Sequence, residues 1–437
     1  MVSGLNMGRL HNCYRNWLFG IRACTADNRR AASNESRAEN EMEKAMARAL
    51  DGITVLEFSR LLPGSMATQM LGDLGAEVIK IEQPGVGDYQ RNLPPRDGRD
   101  SGTFLLCNRN KRSITLNLKS PKGLAVAQKL AARADVLIEG FRPGVMERLG
   151  LCYPVLAAAN PRLVYCSLSG FGQDGPYRDL PGHDMNYLGI VGALQLCARP
   201  ESGPFVPGPL IADIGGGTLM ATFGILAALV GRQVTGRGQA VDVSMTDGVM
   251  SWMVPHAAEW LFAGREVEGG RYFNTGGAAA YDIYLCADGR YITLGIIERK
   301  FWDRLRDLMG GLELPDDPLA EGEEAKQARR ILQAAFAKRP SGEWLCMLRE
   351  RDIPAGPVNG FAEAFADPQM RARGMLQWMD HPVEGRIPQI GFPVKFSDTP
   401  GEMRRPPPLL GQHTDAILGD LGYAPDEVAR LRAEGVV

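Results

Sequence analysis

The chain has 437 residues, 45% apolar and 23% charged, the balance of a folded globular protein with room for about three domains, which excludes wholesale disorder. Lys and Arg number 49 against 51 Asp and Glu, a net charge of -2, so the composition points to no nucleic-acid partner and no membrane partner. Eight cysteines are scattered with no C-x-x-C, the usage of reduced intracellular thiols rather than a disulfide framework.

Residues 1–47 stand apart from the rest. Their Arg-rich, acidic-poor start up to Asn28 fits an organellar presequence, but Glu35–Glu43 is too acidic for one. A disordered extension, or a true start at Met42 or Met46, fits as well. From Leu50 the pattern becomes regular. Strands are predicted at Ile53–Phe58, Glu77–Ile81, Ile114–Leu118, Val136–Ile138, Leu163–Leu168 and Ala240–Ser244, with helices at Pro63–Leu74 and Pro121–Ala134. Short apolar strands alternating with helices imply a parallel sheet covered on both faces. The uncharged run Ile214–Gly231 nominally reaches membrane-span length, but its glycines and threonines, with Asp213 and Arg232 abutting it, suit a buried helix between layers. Further on, strands at Tyr281–Cys286 and Tyr291–Gly295 flank a hairpin signal, and helices follow at Lys300–Met309, Glu323–Lys338 and Glu343–Arg351. The tail offers a strand-like Pro388–Phe396 and short helices from Thr414 and Pro425.

The absent motifs narrow the chemistry. No dinucleotide fingerprint, P-loop, H-E-x-x-H or G-x-S-x-G occurs, and the five histidines include no pair at metal-ligand spacing, so no metal site is expected. Two stretches in the middle are informative. Gly182-His183-Asp184-Met185-Asn186-Tyr187 follows a Gly/Pro-rich loop, where backbone can approach a ligand. Asp213 stands just ahead of Gly215-Gly216-Gly217 and an apolar helix. Locally, Asp213 reads equally as a helix N-cap and as a group facing substrate, with the glycines admitting a bulky ligand. A lone histidine such as His183 is more often structural.

In sequence the chain resembles family III CoA-transferases of the CaiB/BaiF type. The resemblance runs through LLPGSMATQMLGDLGAEVIKIEQPGVGD, RNKRSITLNLKSPKG, ADVLIEGFRPGVMERLGL, PRLVYCSLSGFGQDGPY and LLGQHTDAILGDLGY. GHDMNYLG, ADIGGG and Gly295–Glu298 are similar to the α-methylacyl-CoA racemase branch. The resemblance implies an α/β fold: a Rossmann-like large domain built from both chain ends, an inserted smaller α+β domain, and an interlocked homodimer. Residues 1–47 would be the extension and 48–243 the first part of the large domain. A linker over 244–280 would lead to the small domain at 281–375, with 376–437 returning to the large one. A cytoplasmic placement is expected, mitochondrial or peroxisomal in a eukaryote.

The resemblance also implies roles. His183 and Asp213 would be the catalytic pair, with Asp184 beside them and Glu298 arriving from the partner chain. An acyl-CoA substrate, with no cofactor beyond the coenzyme A it carries, would lie along Leu118, Lys119, Gly140, Arg142, Arg148, Gly182 and Tyr187. The Arg109–Arg112 cluster reads as a phosphate contact or as a solvated turn. Gln83 stands where racemases often have a basic residue, which leaves one phosphate contact in question. Epimerising a 2-methylacyl-CoA needs acid/base groups on both faces of one carbon and donors for the enolate oxygen, for which amides near Asp213 are candidates. In the alternative, a CoA-transferase, Asp213 attacks the thioester and His183 is dispensable. A third possibility is a catalytically silent CoA-binding protein on the same fold.

Overall fold

The computed structural model describes residues 48–96 and 98–437, so the expectation for residues 1–47 lies outside the described residues. Strands β1 (Thr54–Phe58), β2 (Glu77–Glu82), β3 (Lys111–Thr115), β4 (Val136–Glu139), β5 (Val164–Ser169) and β6 (Ala240–Ser244) form one six-stranded sheet. Its order is β3-β2-β1-β4-β5-β6, and every pairing is parallel. The strands are short apolar runs because both faces are covered. On one face pack α1 (Leu62–Asp73), α3 (Asp184–Ile190), α4 (Met220–Thr235) and α5 (Met245–Met250). On the other face α2 (Pro121–Ala131) is joined by α9 (Thr414–Asp420) and α10 (Pro425–Ala433), which bring the C-terminus back through Ile417, Leu418, Val428 and Leu431. The expected α/β class, with the large sheet and its covering helices drawn from both chain ends, is therefore what forms within the chain.

A separate core is built on an antiparallel sheet, β7 (Ile283–Leu285), β8 (Tyr291–Leu294) and β9 (Ala355–Pro357). Helices α6 (Arg299–Met309), α7 (Gly322–Phe336) and α8 (Ser341–Glu350) cover it around the fully buried Trp302 and Phe336. A hairpin of β10 (Leu376–His381) and β11 (Gly385–Ile390) then leads back to the large sheet.

Three local expectations need correction. The strand expected at Ile114–Leu118 begins three residues earlier, at Lys111, because the charged Lys111 and Ser113 point into a buried polar cluster. The strand-like stretch from Pro388 ends at Ile390, where Gly391 leaves the hairpin. The apolar helix is not enclosed between layers. It is the one described helix long and apolar enough to cross a membrane, and within the chain its inner face packs on the sheet while Phe223, Val230 and Val234 stay 69, 68 and 87% exposed.

Candidate active site

Strand order reverses between β1 and β4, and loops that follow neighbouring parallel strands there diverge to leave a crevice at the carboxyl edge. Ser59–Leu61 leave β1, and Gly140–Pro143 leave β4. They border a cavity of about 760 Å³, and Ser59, Arg60, Phe141 and Val145 also border a second of about 550 Å³. The two spaces adjoin along this shared wall.

His183 and Asp213 both line the larger cavity, with Gly140, Arg142, Gly182, Asn186 and Tyr187. His183 caps α3, its amide donating to Asn186 Oδ1 at 3.0 Å. Tyr187 donates its hydroxyl to the Gly182 carbonyl at 2.6 Å, and its ring occupies the space a Cβ at Gly170 or Gly182 would need. These glycines let the aromatic floor close beneath the histidine.

Asp213 lies in the first turn of Ile211–Leu219, a π-wound stretch that continues into α4; such widened turns are frequent at functional sites. It is not the cap. That role falls to Asp184, buried one element away, whose Oδ1 accepts from the amides of Ala212 at 2.7 Å and Asp213 at 2.9 Å. Since the Ile214 amide is held by the Leu210 carbonyl, the amides expected to serve an enolate are already engaged. Two glycines of the triplet serve packing: a Cβ at Gly215 would collide with Trp252, and one at Gly216 with the Met245 carbonyl. These residues let the π-wound stretch lie against α5.

Burial pushes the Asp213 carboxyl up to about 6; the Asp184 charge adds to the rise and His183 opposes it. Asp184→Asn, which keeps an acceptor for both amides but removes the charge, is expected to move the acid limb of the pH–rate profile to lower pH. An unmoved limb in kcat/KM measured across that range would show that Asp213 does not govern it.

The remaining expected residues are more dispersed. Leu118 and Lys119 line the smaller cavity with Gln83. Arg148 is exposed and borders neither cavity, but its Nη1 and Arg178 Nη2 both lie 3.6 Å from the Cβ position of Gly144. Glu298 is exposed at the head of α6, away from both cavities of its own chain. Arg109 through Arg112 supply neither a phosphate contact nor a solvated turn. Arg109 is buried against Asp73 at 2.6 Å, Lys111 against Glu57 at 2.8 Å, and Arg112 pairs with Asp420 at 3.1 Å. Besides the buried Lys80, two cavity cations were not singled out from the sequence. Arg60 sits on the shared wall, and Arg178 borders the larger cavity with a buried Nε that has no partner among the described residues. The Gly/Pro-rich loop before His183 was the available signal for Arg178; for Arg60 there was none.

Residues 50–414 match the family model described as CoA-transferase family III. The chain belongs to this family. It is 34% identical over 396 residues to the mouse (Mus musculus) succinyl-CoA:glutarate CoA-transferase, covering 89% of this chain and 90% of that one. Human (Homo sapiens) α-methylacyl-CoA racemase is also 34% identical, over 397 residues, with 89 and 97% covered. Among solved structures, a CaiB/BaiF family protein from Brucella suis superposes with a TM-score of 0.74 at 34% identity, covering 86% of this chain and all of that one. Family members of both reaction types are thus equally similar overall, so the reaction has to be argued from the site.

Proposed function

We propose that the protein epimerises 2-methylacyl-CoA thioesters by proton transfer through His183 and Asp213. The observation that carries this is their convergence on one cavity, with the carboxyl raised to about 6, toward the range in which imidazoles titrate. One group takes the proton α to the thioester carbonyl and the electron pair moves onto the carbonyl oxygen as an enolate. The other returns a proton to the opposite face, and each group acts as acid in one direction and base in the other. With the amides at 212–214 engaged, the Asn186 side-chain amide, whose oxygen is held by the His183 amide, is the donor we assign to the enolate. The coenzyme runs from Leu118 and Lys119, at its adenine end, past Gly140 to the guanidiniums of Arg142, Arg148 and Arg178, which suit its phosphates.

Glu298 reaches His183 only from a second copy. The apolar surface of Trp260, Leu261 and Phe262, 59, 72 and 90% exposed, supports a homodimer, since patches of this kind mark interfaces. Light scattering is expected to give a dimer that persists on dilution; a monomer would remove Glu298 from the mechanism.

A second reading is favoured by the relatives named as CoA-transferases. There Asp213 attacks the thioester carbonyl to form an acyl–aspartyl anhydride and release the CoA thiolate. The thiolate takes the aspartyl carbonyl and frees the first acid. The second acid then displaces CoA to form its own anhydride with Asp213, which the thiolate opens to give the new acyl-CoA. Deuterated water separates the two. Epimerisation incorporates deuterium at the α-carbon of a single 2-methylacyl-CoA enantiomer, whereas movement of CoA between acids without α-deuteration identifies a transferase. Tight CoA binding with neither activity would identify a silent binding protein.

A further inference from the structure

The first loop of the crevice holds an unusual backbone. Leu61 has φ 64° and ψ -158°, a region in which essentially only glycine is found. A bulky residue stays there only when its surroundings leave no alternative. Here they do so from both sides. The Leu61 amide donates to Asp88 Oδ1 at 3.0 Å, and Asp88 Oδ2 lies 2.9 Å from Lys80 Nζ. On the other side of the turn, the same Nζ donates to the Ser59 carbonyl at 3.3 Å. The Asp88 and Lys80 side chains are 1 and 0% exposed, and Glu57 Oε1 at 2.7 Å fixes Lys80 from beneath. The pair therefore grips residues 59 and 61 and leaves residue 60 between them.

That residue is Arg60. Its guanidinium lies 5.0 Å from the Tyr89 ring centroid and 5.3 Å from that of Phe141, and Nη1 donates to the Tyr89 hydroxyl at 2.6 Å. No carboxylate pairs with it among the described residues, and it borders both cavities. A ligand extending from one cavity into the other has to pass this cation. We propose that Lys80 and Asp88 are positioning residues that clamp the Ser59–Leu61 turn, and that the clamped turn holds Arg60 as a phosphate contact at the seam. The inference rests on the coenzyme reading above, and it supplies a cation on the side where Gln83 provides none.

The test is calorimetry with free CoA. Arg60→Gln is expected to weaken CoA about tenfold, as for loss of a charge-assisted hydrogen bond, and Asp88→Asn by a similar factor. Combining the two is expected to add little, because both remove the same contact. Adding Leu61→Gly to Asp88→Asn is expected to restore most of the affinity, since glycine takes this backbone without a clamp; a merely stabilising Asp88 gives no such restoration of binding. In turnover, Asp88→Asn is expected to raise KM and leave kcat unchanged. S-Acylpantetheine, which lacks the phosphates under test, is expected to be bound alike by wild type and Arg60→Gln. Should Asp88→Asn not fold, Asp88→Glu shifts the acceptor by one methylene and is read in the same way. Unchanged CoA affinity in the Asp88 variant, fully additive losses, or an equal loss with S-acylpantetheine would overturn the clamp. Wild-type protein that fails to bind CoA at all would overturn the coenzyme reading itself.

Discussion

Asp213→Asn is expected to slow epimerisation of a 2-methylacyl-CoA by about 10²–10⁴-fold, the range for a positioned acid/base group. The amide preserves shape and can still face the cavity, but it neither takes up nor returns the proton on its side of the α-carbon. His183→Ala is expected to cost a similar factor for the opposite face. The pair of variants then carries a signature that overall rates do not. Each retains one base, so each continues to exchange the α-proton from one face after epimerisation has stopped. A transferase gives the contrary pattern: Asp213→Asn abolishes CoA transfer to a free carboxylate because the nucleophile is gone, and His183→Ala is tolerated. Following α-deuterium and enantiomeric composition in the same sample decides between them. Tolerance of His183→Ala together with CoA transfer to a free carboxylate would end the racemase proposal.

The largest expected effect on stability lies beneath the crevice. Glu57 is fully buried on β1, 2.7 Å from Lys80 of β2 and 2.8 Å from Lys111 of β3. Replacing it with Gln leaves the buried Lys111 ammonium without a carboxylate and Lys80 with Asp88 alone, and breaking a buried pair in this way costs about 3–5 kcal/mol. Denaturant unfolding is expected to show a lower midpoint with an unchanged slope; a midpoint equal to wild type would mean that the lysines are compensated elsewhere. The same cluster sets an acid limit. Burial alone would raise the Glu57 carboxyl, yet Lys111 and Lys80 bring it to about 2, below its ordinary 4.5. Because the unfolded chain takes up this proton first, the contribution is complete above about 4.5 and is lost as pH falls toward about 2. Acid unfolding of Glu57→Gln is accordingly expected to be less steep across that window.

Much of the fold was legible because it is written locally. Apolar runs of strand length alternating with amphipathic helices specify a parallel sheet, and Pro at the first turn of α1 and of α2 marks where those helices begin. The nearly uncharged stretch around α4 was legible as a helix, but its exposed outer face was not, since one sequence does not say what else will cover an apolar surface. Within the site, His183 and Asp213 stood out by their setting and by family resemblance, and the tertiary structure brings them to one cavity. It also separates the two local readings of Asp213, giving the cap to Asp184, because the acceptor nearest the free amides comes from another helix.

What the sequence by itself determined, then, is the class of fold, the family, and the two residues around which the chemistry is proposed. All three depend on periodicity and on contiguous motifs. What only the tertiary structure decided are the relations between distant strands. Glu57, Lys80 and Lys111 sit in separate segments, and each alone reads as an ordinary charge in or beside a strand. They become one buried cluster because β1, β2 and β3 are laid side by side in an order set by crossover connections that local pattern does not encode. The glycine-like turn at Leu61 has the same origin. Nothing in its neighbours along the chain requires it, and it is held by a carboxylate 27 residues away and by the lysine that carboxylate pairs with.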